Sequence, residues 1–288
     1  MLRRLFSIFK CSNDHTHDHG KCFICGNEVD FRIERGCSLR ESWCPICKGS
    51  KRNRDLAKVI IKTFLGDDTL CLASAQPYLE DFAIYEAQST GAIHKFLSKL
   101  PKYICSEYYN EVPGGSLNKE GIRSEDIEAL SFSDNTFDLI ITQDVFEHVR
   151  RPDKGFKEIK RVLKYGGCHI FTIPLHESRK TMVRVKTEDK KNIFLMPPVY
   201  HEDPLNIKGS LVYTDFGEDI TDYLKSLGLQ TDIAEYERFY SSDEIPWIAD
   251  DASYKSYISY KRKGELLKYF LYNSVVFISK KAEYKRAG

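Results

Sequence analysis

The sequence predicts an α/β protein, a doubly wound and mostly parallel sheet behind a small cysteine-knuckle module. Three observations predict it: a complete βαβ unit in residues 131–174, shorter strand and helix patterns before it from residue 82, and two Cys-x-x-Cys pairs near the amino terminus. Within the βαβ unit, residues 137–142 (FDLIIT) are short, apolar and β-branched, as expected of a parallel strand buried on both faces. Gln143, Asp144, Glu147 and His148 gather polar groups at its carboxyl end, the edge where open α/β sheets bind ligands. Pro152 and Asp153 predict a helix start. Phe156, Ile159, Val162 and Leu163 give that helix a core-facing stripe, and Gly166 with Gly167 predict its stop. Residues 168–173 read as the next strand.

Composition narrows the function classes. The chain has 288 residues, enough for one large domain or two unequal ones, and 42% hydrophobic content suits a full core. A net charge of +1, from 43 basic and 42 acidic residues, supplies no overall field for a polyanion, so there is no strong nucleic-acid signal. No apolar run approaches the ~20 residues of a membrane-spanning helix. The first ten residues, MLRRLFSIFK, fit either a frayed terminus or a weak amphipathic surface anchor, and are too short for a secretory signal. With no export signal and close cysteine pairs, the expected location is the reducing cytoplasm.

Cys22-Phe23-Ile24-Cys25 and Cys44-Pro45-Ile46-Cys47 are spaced as the two knuckles of one four-cysteine zinc site. Four thiolates would close the coordination shell, so zinc would be structural. A redox reading is disfavoured because neither pair opens a helix after a buried strand. Gly26 and Pro45 ease the tight turns, and Cys37 between the knuckles is a bystander. His15, His17 and His19 alternate in a polar tail that either catches metal loosely or is simply solvated. Residues 50–66 predict a helix with Leu56, Val59, Ile60 and Phe64 on one face and Lys51, Arg52 and Arg54 at its start. That basic start either meets an anionic ligand or is solvated.

The order Phe137-Asp138-Leu139-Ile140, Glu147-His148-Val149, Glu158-Ile159-Lys160-Arg161-Val162-Leu163-Lys164-Tyr165-Gly166-Gly167, then an apolar strand closing in proline, resembles a known family. It is similar to the second half of a class I S-adenosylmethionine-dependent methyltransferase of the type 11 group. The resemblance implies a seven-stranded Rossmann-like sheet, S-adenosylmethionine as cofactor and methyl transfer as the reaction. The family's acidic residue and Gly-x-Gly-x-Gly turn correspond to Glu86-Ala87-Gln88-Ser89-Thr90-Gly91, after a strand at 82–87. Only Gly91 is glycine there, although Ala87, Ser89 and Thr90 are small enough to let a ligand approach the backbone. Residues 69–74 are the other placement for this strand, without a glycine turn. Residues 102–106 read as the following strand, and Glu107 stands about 20 positions beyond the turn, where a carboxylate accepts from a ribose. A short third strand is expected within 121–132. The resemblance places its Asp126 and Ile127 at the adenine, and Gln143 and Asp144 complete the expected cofactor set.

The substrate side is expected beyond Pro174. A long insertion there reads as a lid or substrate wall, with His201 in Tyr200-His201-Glu202 its most chemical element. A helix at 219–227 stopped by Gly228, and strands at 231–238 and 274–280, close the sheet. Trp247, Tyr254, Tyr257 and Tyr260 form an aromatic insertion suited to packing or to stacking on a ligand. For a hydroxyl acceptor a base near neutral pKa helps, and His148 is the first candidate, then His176 and His201. The expected organisation is a flexible segment 1–20, a zinc-binding module 21–50, a linking helix and connection 51–80, and a methyltransferase domain 81–288 with insertions at about 175–215 and 240–272. The expected acceptor is a small molecule or glycan, methylated at oxygen. An RNA base methyltransferase with a zinc knuckle, and a non-catalytic scaffold with a degenerate cofactor loop, are the competing readings.

Overall fold

The computed structural model describes residues 15–33, 42–176, 180–189, 191–203, 206–237 and 274–281. The first ten residues, Cys37 and the aromatic insertion at 240–272 lie outside the described residues. In chain order the elements are β1 (His15–Lys21), β2 (Glu28–Ile33), α1 (Lys51–Leu65), α2 (Leu72–Leu79), β3 (Ile84–Glu86), α3 (Gly91–Leu97), β4 (Tyr103–Cys105) and β5 (Phe137–Gln143). A 3-10 turn (Phe146–His148) leads to α4 (Pro152–Val162) and β6 (Leu163–Thr172). The insertion holds β7 (Leu175–His176), β8 (Met182–Val183), β9 (Val185–Glu188), β10 (Lys191–Phe194), β11 (Tyr200–Asp203), β12 (Asn206–Leu211) and β13 (Thr214–Gly217). The chain then forms α5 (Ile220–Ser226), β14 (Leu229–Glu237) and β15 (Ser274–Lys281).

The central sheet has the order β14-β15-β6-β5-β3-β4. Strands β4, β3, β5 and β6 are parallel, whereas β15 runs antiparallel to both β6 and β14. Strand alternation divides the core between the two faces. Ile84, Leu139, Ile141, Cys168, Ile170 and Val276 pack with α1, α2 and α3. Tyr85, Ile140, Phe171, Val275 and Phe277 pack with Phe156, Ile159 and Leu224 of α4 and α5.

The family-like segment explains its own residues. Asp138 accepts from the Ala83 amide at 2.8 Å and from Lys164 Nζ at 2.7 Å, tying the start of β5 to its neighbours. Arg161 holds the turn before β5, donating to Leu130 O and Phe132 O at 2.8 Å each and pairing with Glu158 and Asp134. Those carboxylates push its pKa further up, through hydrogen bonds first and charge second.

Two expectations need correction. The sheet has six strands among the described residues, not seven. The strand expected within 121–132 is reduced to two isolated bridges, Glu107 to Ser124 in parallel and Leu117 to Arg123 antiparallel, because Ser124 turns its own amide and carbonyl to Ser116 and Gly115. The second correction concerns Gly166 and Gly167. The helix ends at Val162 with Leu163 already extended, so no glycine stops it. Gly166, at φ +79°, instead serves a bulge in β6 between the pairings Phe137–Leu163 and Leu139–Cys168. A Cβ on Gly167 would stand 2.9 Å from Phe137 O and 3.1 Å from Asp138 O, so only glycine fits beside β5.

The knuckles join the main core directly. Cys22, Ile24, Val29, Phe31, Cys44 and Cys47 share one buried cluster with Leu56, Ile60, Leu72, Ile93 and the sheet. Carbonyls of Phe23 and Ile24 accept from the first amides of α2 at 2.7 and 2.9 Å. A Cβ on Gly49 would lie 2.4 Å from Ile24 Cδ1 and 3.2 Å from Ala92 Cβ of α3, so the second knuckle presses against the helix that follows the expected cofactor turn. Strand β1 reaches back into the segment read as a tail, and His19 bonds Asp30 at 2.8 Å. Among the described residues no helix is long and apolar enough to cross a membrane.

Candidate functional site

The cysteine site is built from two equivalent turns. Gly26 N donates to Cys22 O and Lys48 N to Cys44 O, with Gly26 at φ +80° and Lys48 at φ +65°. Lys48, not Pro45, therefore takes the left-handed position of the second knuckle. All four sulfurs lie within 4.8 Å of one another, Cys22 to Cys47 at 3.6 Å and Cys25 to Cys44 at 3.8 Å. Zinc–sulfur bonds of about 2.3 Å at tetrahedral angles put sulfurs roughly 3.8 Å apart, so the set fits zinc. Contact between Cys22 and Cys47 drives their ionisation apart, Cys22 downward and Cys47 upward. Arg54 supplies countercharge: it donates to Ser42 O and Gly49 O at 2.8 and 3.2 Å and covers the Phe31 ring at 3.8 Å. Its burial weakens its hold on the proton, while the nearby sulfurs oppose that shift.

At the carboxyl ends of β3 and β5 a second polar system runs from α3, through the first residue of β4, to α1. His94 Nδ1 and Tyr103 Oη are 2.9 Å apart, Tyr103 donates to Glu86 Oε2 at 2.7 Å, and Gln143 Nε2 donates to Glu86 Oε1 at 2.9 Å. Asn53 Nδ2 of α1 donates in turn to Gln143 Oε1 at 2.5 Å. Beside it Arg52 pairs with Asp144, whose other oxygen accepts from Thr172 at 3.0 Å. Of the basic start of α1, Arg52 is therefore engaged with the end of the sheet, whereas Lys51 pairs with Asp55 and Arg54 serves the knuckles. Asn53 and Tyr103 escaped sequence reasoning because neither lies in a motif; only the fold brings them to Glu86.

Glu86 is fully buried, and desolvation pushes its carboxyl up to about 8 despite two hydrogen bonds that favour the anion. The folded pKa lies above the unfolded value, so the protonated side chain's contribution to stability is complete below about 4.5 and is lost as pH rises toward about 8. We expect a slope of up to roughly 1.4 kcal/mol per pH unit in that window. Chemical denaturation between pH 5 and pH 8, flattened in Glu86→Gln, would show it; equal slopes in both proteins would contradict it.

The remaining expected cofactor residues surround this point. Glu107 Oε1 accepts from Ser89 N at 2.7 Å and Ser89 Oγ at 2.9 Å, closing the turn that precedes Gly91 at φ +95°. Ala87 and Ser89 are half-buried, and Gly91 is exposed. Asp126 is half-buried beside buried Ile127, and its Oδ2 accepts from Arg150 at 3.2 Å. Arg150 also bonds the hydroxyl of exposed Tyr108 at 3.3 Å. The half-buried carboxylates of Glu107 beyond β4 and Asp126, the exposed Tyr108 ring and a turn of small residues suit a ribose and an adenine. The residues present fit S-adenosylmethionine.

The turn after β5 carries a third cluster. His148 Nδ1 lies 2.9 Å from Leu211 O, an acceptor only, so Nδ1 is the donor there and Nε2 is the nitrogen left to face Glu147. Hairpin β11–β12 brings His201 into a T-shaped contact with His148, ring centres 5.0 Å apart. Glu147 lies between them, its Oε1 3.7 Å from His148 Nε2 and 3.6 Å from His201 Nδ1. His176 is directed elsewhere, toward Asp215 at 3.7 Å in a buried group with Arg184. His148 and His201 are thus brought together, and His176 stands apart beside the Arg184–Asp215 pair.

Residues 96–171 match the family profile described as "Methyltransferase domain". They belong to a class I S-adenosylmethionine-dependent methyltransferase domain. The matched stretch of this methyltransferase domain contains Glu107, Asp126, Gln143, Glu147 and His148, and begins just after the glycine-poor turn. Similar solved structures include the YcgJ protein from Bacillus subtilis, 15% identical, covering 74% of this chain and 98% of that one, with a TM-score of 0.40. Another is an S-adenosylmethionine-dependent methyltransferase from Mesorhizobium loti, 13% identical, covering 73% and 95%, TM-score 0.40. A putative sarcosine dimethylglycine methyltransferase from Galdieria sulphuraria is 14% identical, covering 73% and 84%, TM-score 0.38. No curated protein matches the chain.

Proposed function

We propose that this methyltransferase acts on an oxygen of a small-molecule or glycan acceptor held beside Glu147, His148 and His201. S-adenosylmethionine supplies the sulfonium methyl group. When bound, it would give its methyl carbon to the acceptor oxygen and keep the carbon–sulfur electron pair on sulfur. The chain's work is to orient the two reactants, exclude water and manage the hydroxyl proton. Glu107 and Asp126 serve the ribose and adenine, with Arg150 fixing Asp126 and Tyr108. Glu86, with both oxygens held by Tyr103 and Gln143, positions the turn and sheet edge from below. His148 handles the acceptor proton at Nε2.

The observation that carries this reading is the fixed tautomer of His148. Its Nδ1–H is committed to Leu211 O, leaving Nε2 as the available base beyond the carboxyl end of β5. The insertion forms the acceptor wall, since His201 comes from β11. Incubation with tritiated-methyl S-adenosylmethionine and a panel of hydroxylated metabolites, sugars and RNA tests the assignment. Label on a hydroxyl is the expected outcome. Label on RNA bases, or cofactor binding by a protein inert toward every hydroxyl compound while RNA is labelled, would overturn it.

A further inference from the structure

We infer that Glu147, His148 and His201 form a divalent transition-metal site at the acceptor end of the domain, separate from the four-cysteine zinc site. The inference rests on the reading of this cluster as the acceptor side, and in it His148 Nε2 holds an ion that activates the hydroxyl instead of taking the proton itself. Glu147 is the observation that demands an explanation. Its side chain is 1% exposed, and neither carboxylate oxygen has a hydrogen-bond partner. A buried carboxylate without donors is costly, and such groups are normally paired or bound to metal.

The surroundings of Glu147 have ligand geometry. The separations of 3.7 Å to His148 Nε2 and 3.6 Å to His201 Nδ1 are too long for hydrogen bonds. Ligand atoms sharing one ion at bonds of about 2.0–2.2 Å lie roughly 3.0–3.5 Å apart, so a few tenths of an ångström of adjustment would suffice. The three candidate ligand atoms all lie within 4.8 Å of one another. His148 also carries the outer support typical of a metal-bound imidazole, its Nδ1–H donated to the Leu211 carbonyl. The backbone around the site is pinned as well: Tyr213 N donates to Glu147 O at 2.7 Å, joining the 3-10 turn to the insertion.

Two imidazoles and one carboxylate on one side of an ion select first-row metals such as Mn²⁺, Fe²⁺, Co²⁺ or Zn²⁺ over Mg²⁺ or Ca²⁺, and leave coordination positions open. An acceptor hydroxyl taking one of those positions would have its pKa lowered, releasing its proton to solvent before attack on the methyl carbon. The site therefore points to acceptors with a chelating or acidic hydroxyl.

Cobalt(II) titration of the full-length protein, with its knuckle zinc retained, tests the inference by visible absorption. Nitrogen and oxygen ligation gives d–d bands without the thiolate charge-transfer band that exchange into the cysteine site would add. One equivalent of such cobalt per chain is expected, with affinity lowered at least about 100-fold in Glu147→Gln and in His201→Ala. Cofactor calorimetry on the same samples reports folding and the cofactor site independently. Cobalt binding as expected without S-adenosylmethionine binding would uphold the metal site and sink the cofactor reading. No cobalt of this type in the wild-type protein, or equal affinity in both variants, would overturn the metal site.

Discussion

Replacing Cys44 and Cys47 together by serine is expected to abolish zinc binding and the cooperative unfolding of the whole described core, not of a peripheral module alone. Structural zinc contributes about 10–16 kcal/mol in small metal-folded domains, against a net stability of roughly 5–15 kcal/mol for a typical domain. The effect extends beyond the knuckles because the first knuckle caps α2, the second presses on α3, and Ile24 packs in the same cluster as Ile84 and Leu139 of the sheet. Arg54 would lose part of the negative charge that offsets its burial, keeping Cys22 and Asp55. The start of α1, which brings Asn53 to Gln143 and Arg52 to Asp144, would lose its anchor next to the cofactor turn. Elemental analysis and thermal melts followed by near-ultraviolet circular dichroism check this. Metal retained by the double variant, or metal lost with the unfolding midpoint unchanged, would show that the knuckles are accessory.

Replacing His148 by alanine should reduce turnover about 10²–10⁴-fold while leaving S-adenosylmethionine affinity largely intact. The imidazole is held ready to act, because Leu211 O fixes its orientation through Nδ1, and Glu147 stands on the side of its Nε2 with His201 against the ring. Whether Nε2 receives the acceptor proton or holds an ion that releases it, the variant removes the group that activates the oxygen. Single-turnover methyl transfer and calorimetry on one preparation separate chemistry from cofactor binding. His201→Ala in parallel reports what the insertion contributes. A loss of no more than a few-fold in either variant would mean that positioning alone carries methyl transfer.

Sequence alone made the centre of the fold legible because β5, α4 and β6 each carry a period or composition that no other local structure shares. A β-branched run buried on both faces, a proline-started amphipathic helix and a second apolar run leave little freedom. The four cysteines were equally legible, since their spacing fixes both knuckles. Gly166 and Gly167 misled because a glycine pair after a helical stripe suits a helix stop as well as a strand bulge; only the close approach of Phe137 O to Gly167 decides between them. The third strand failed for a related reason, its backbone bonds being drawn into the loop at 115–118. Contacts made only by tertiary packing left no local trace. Neither Asn53 meeting Gln143 nor His201 meeting Glu147 has a periodic signal, because α1 and β11 reach the sheet edge from distant parts of the chain.

The central claim is that the carboxyl ends of β3 and β4 bind S-adenosylmethionine although the turn between β3 and α3 retains only Gly91 of the usual glycines. Isothermal calorimetry of the wild-type protein and Glu107→Ala tests it most directly. One site per wild-type chain is expected, weakened by about 1.5–3 kcal/mol in the variant, which loses a charged partner for the ribose and the acceptor that closes the Ser89 turn. No binding by the wild-type protein, or the same affinity in Glu107→Ala, would contradict the account.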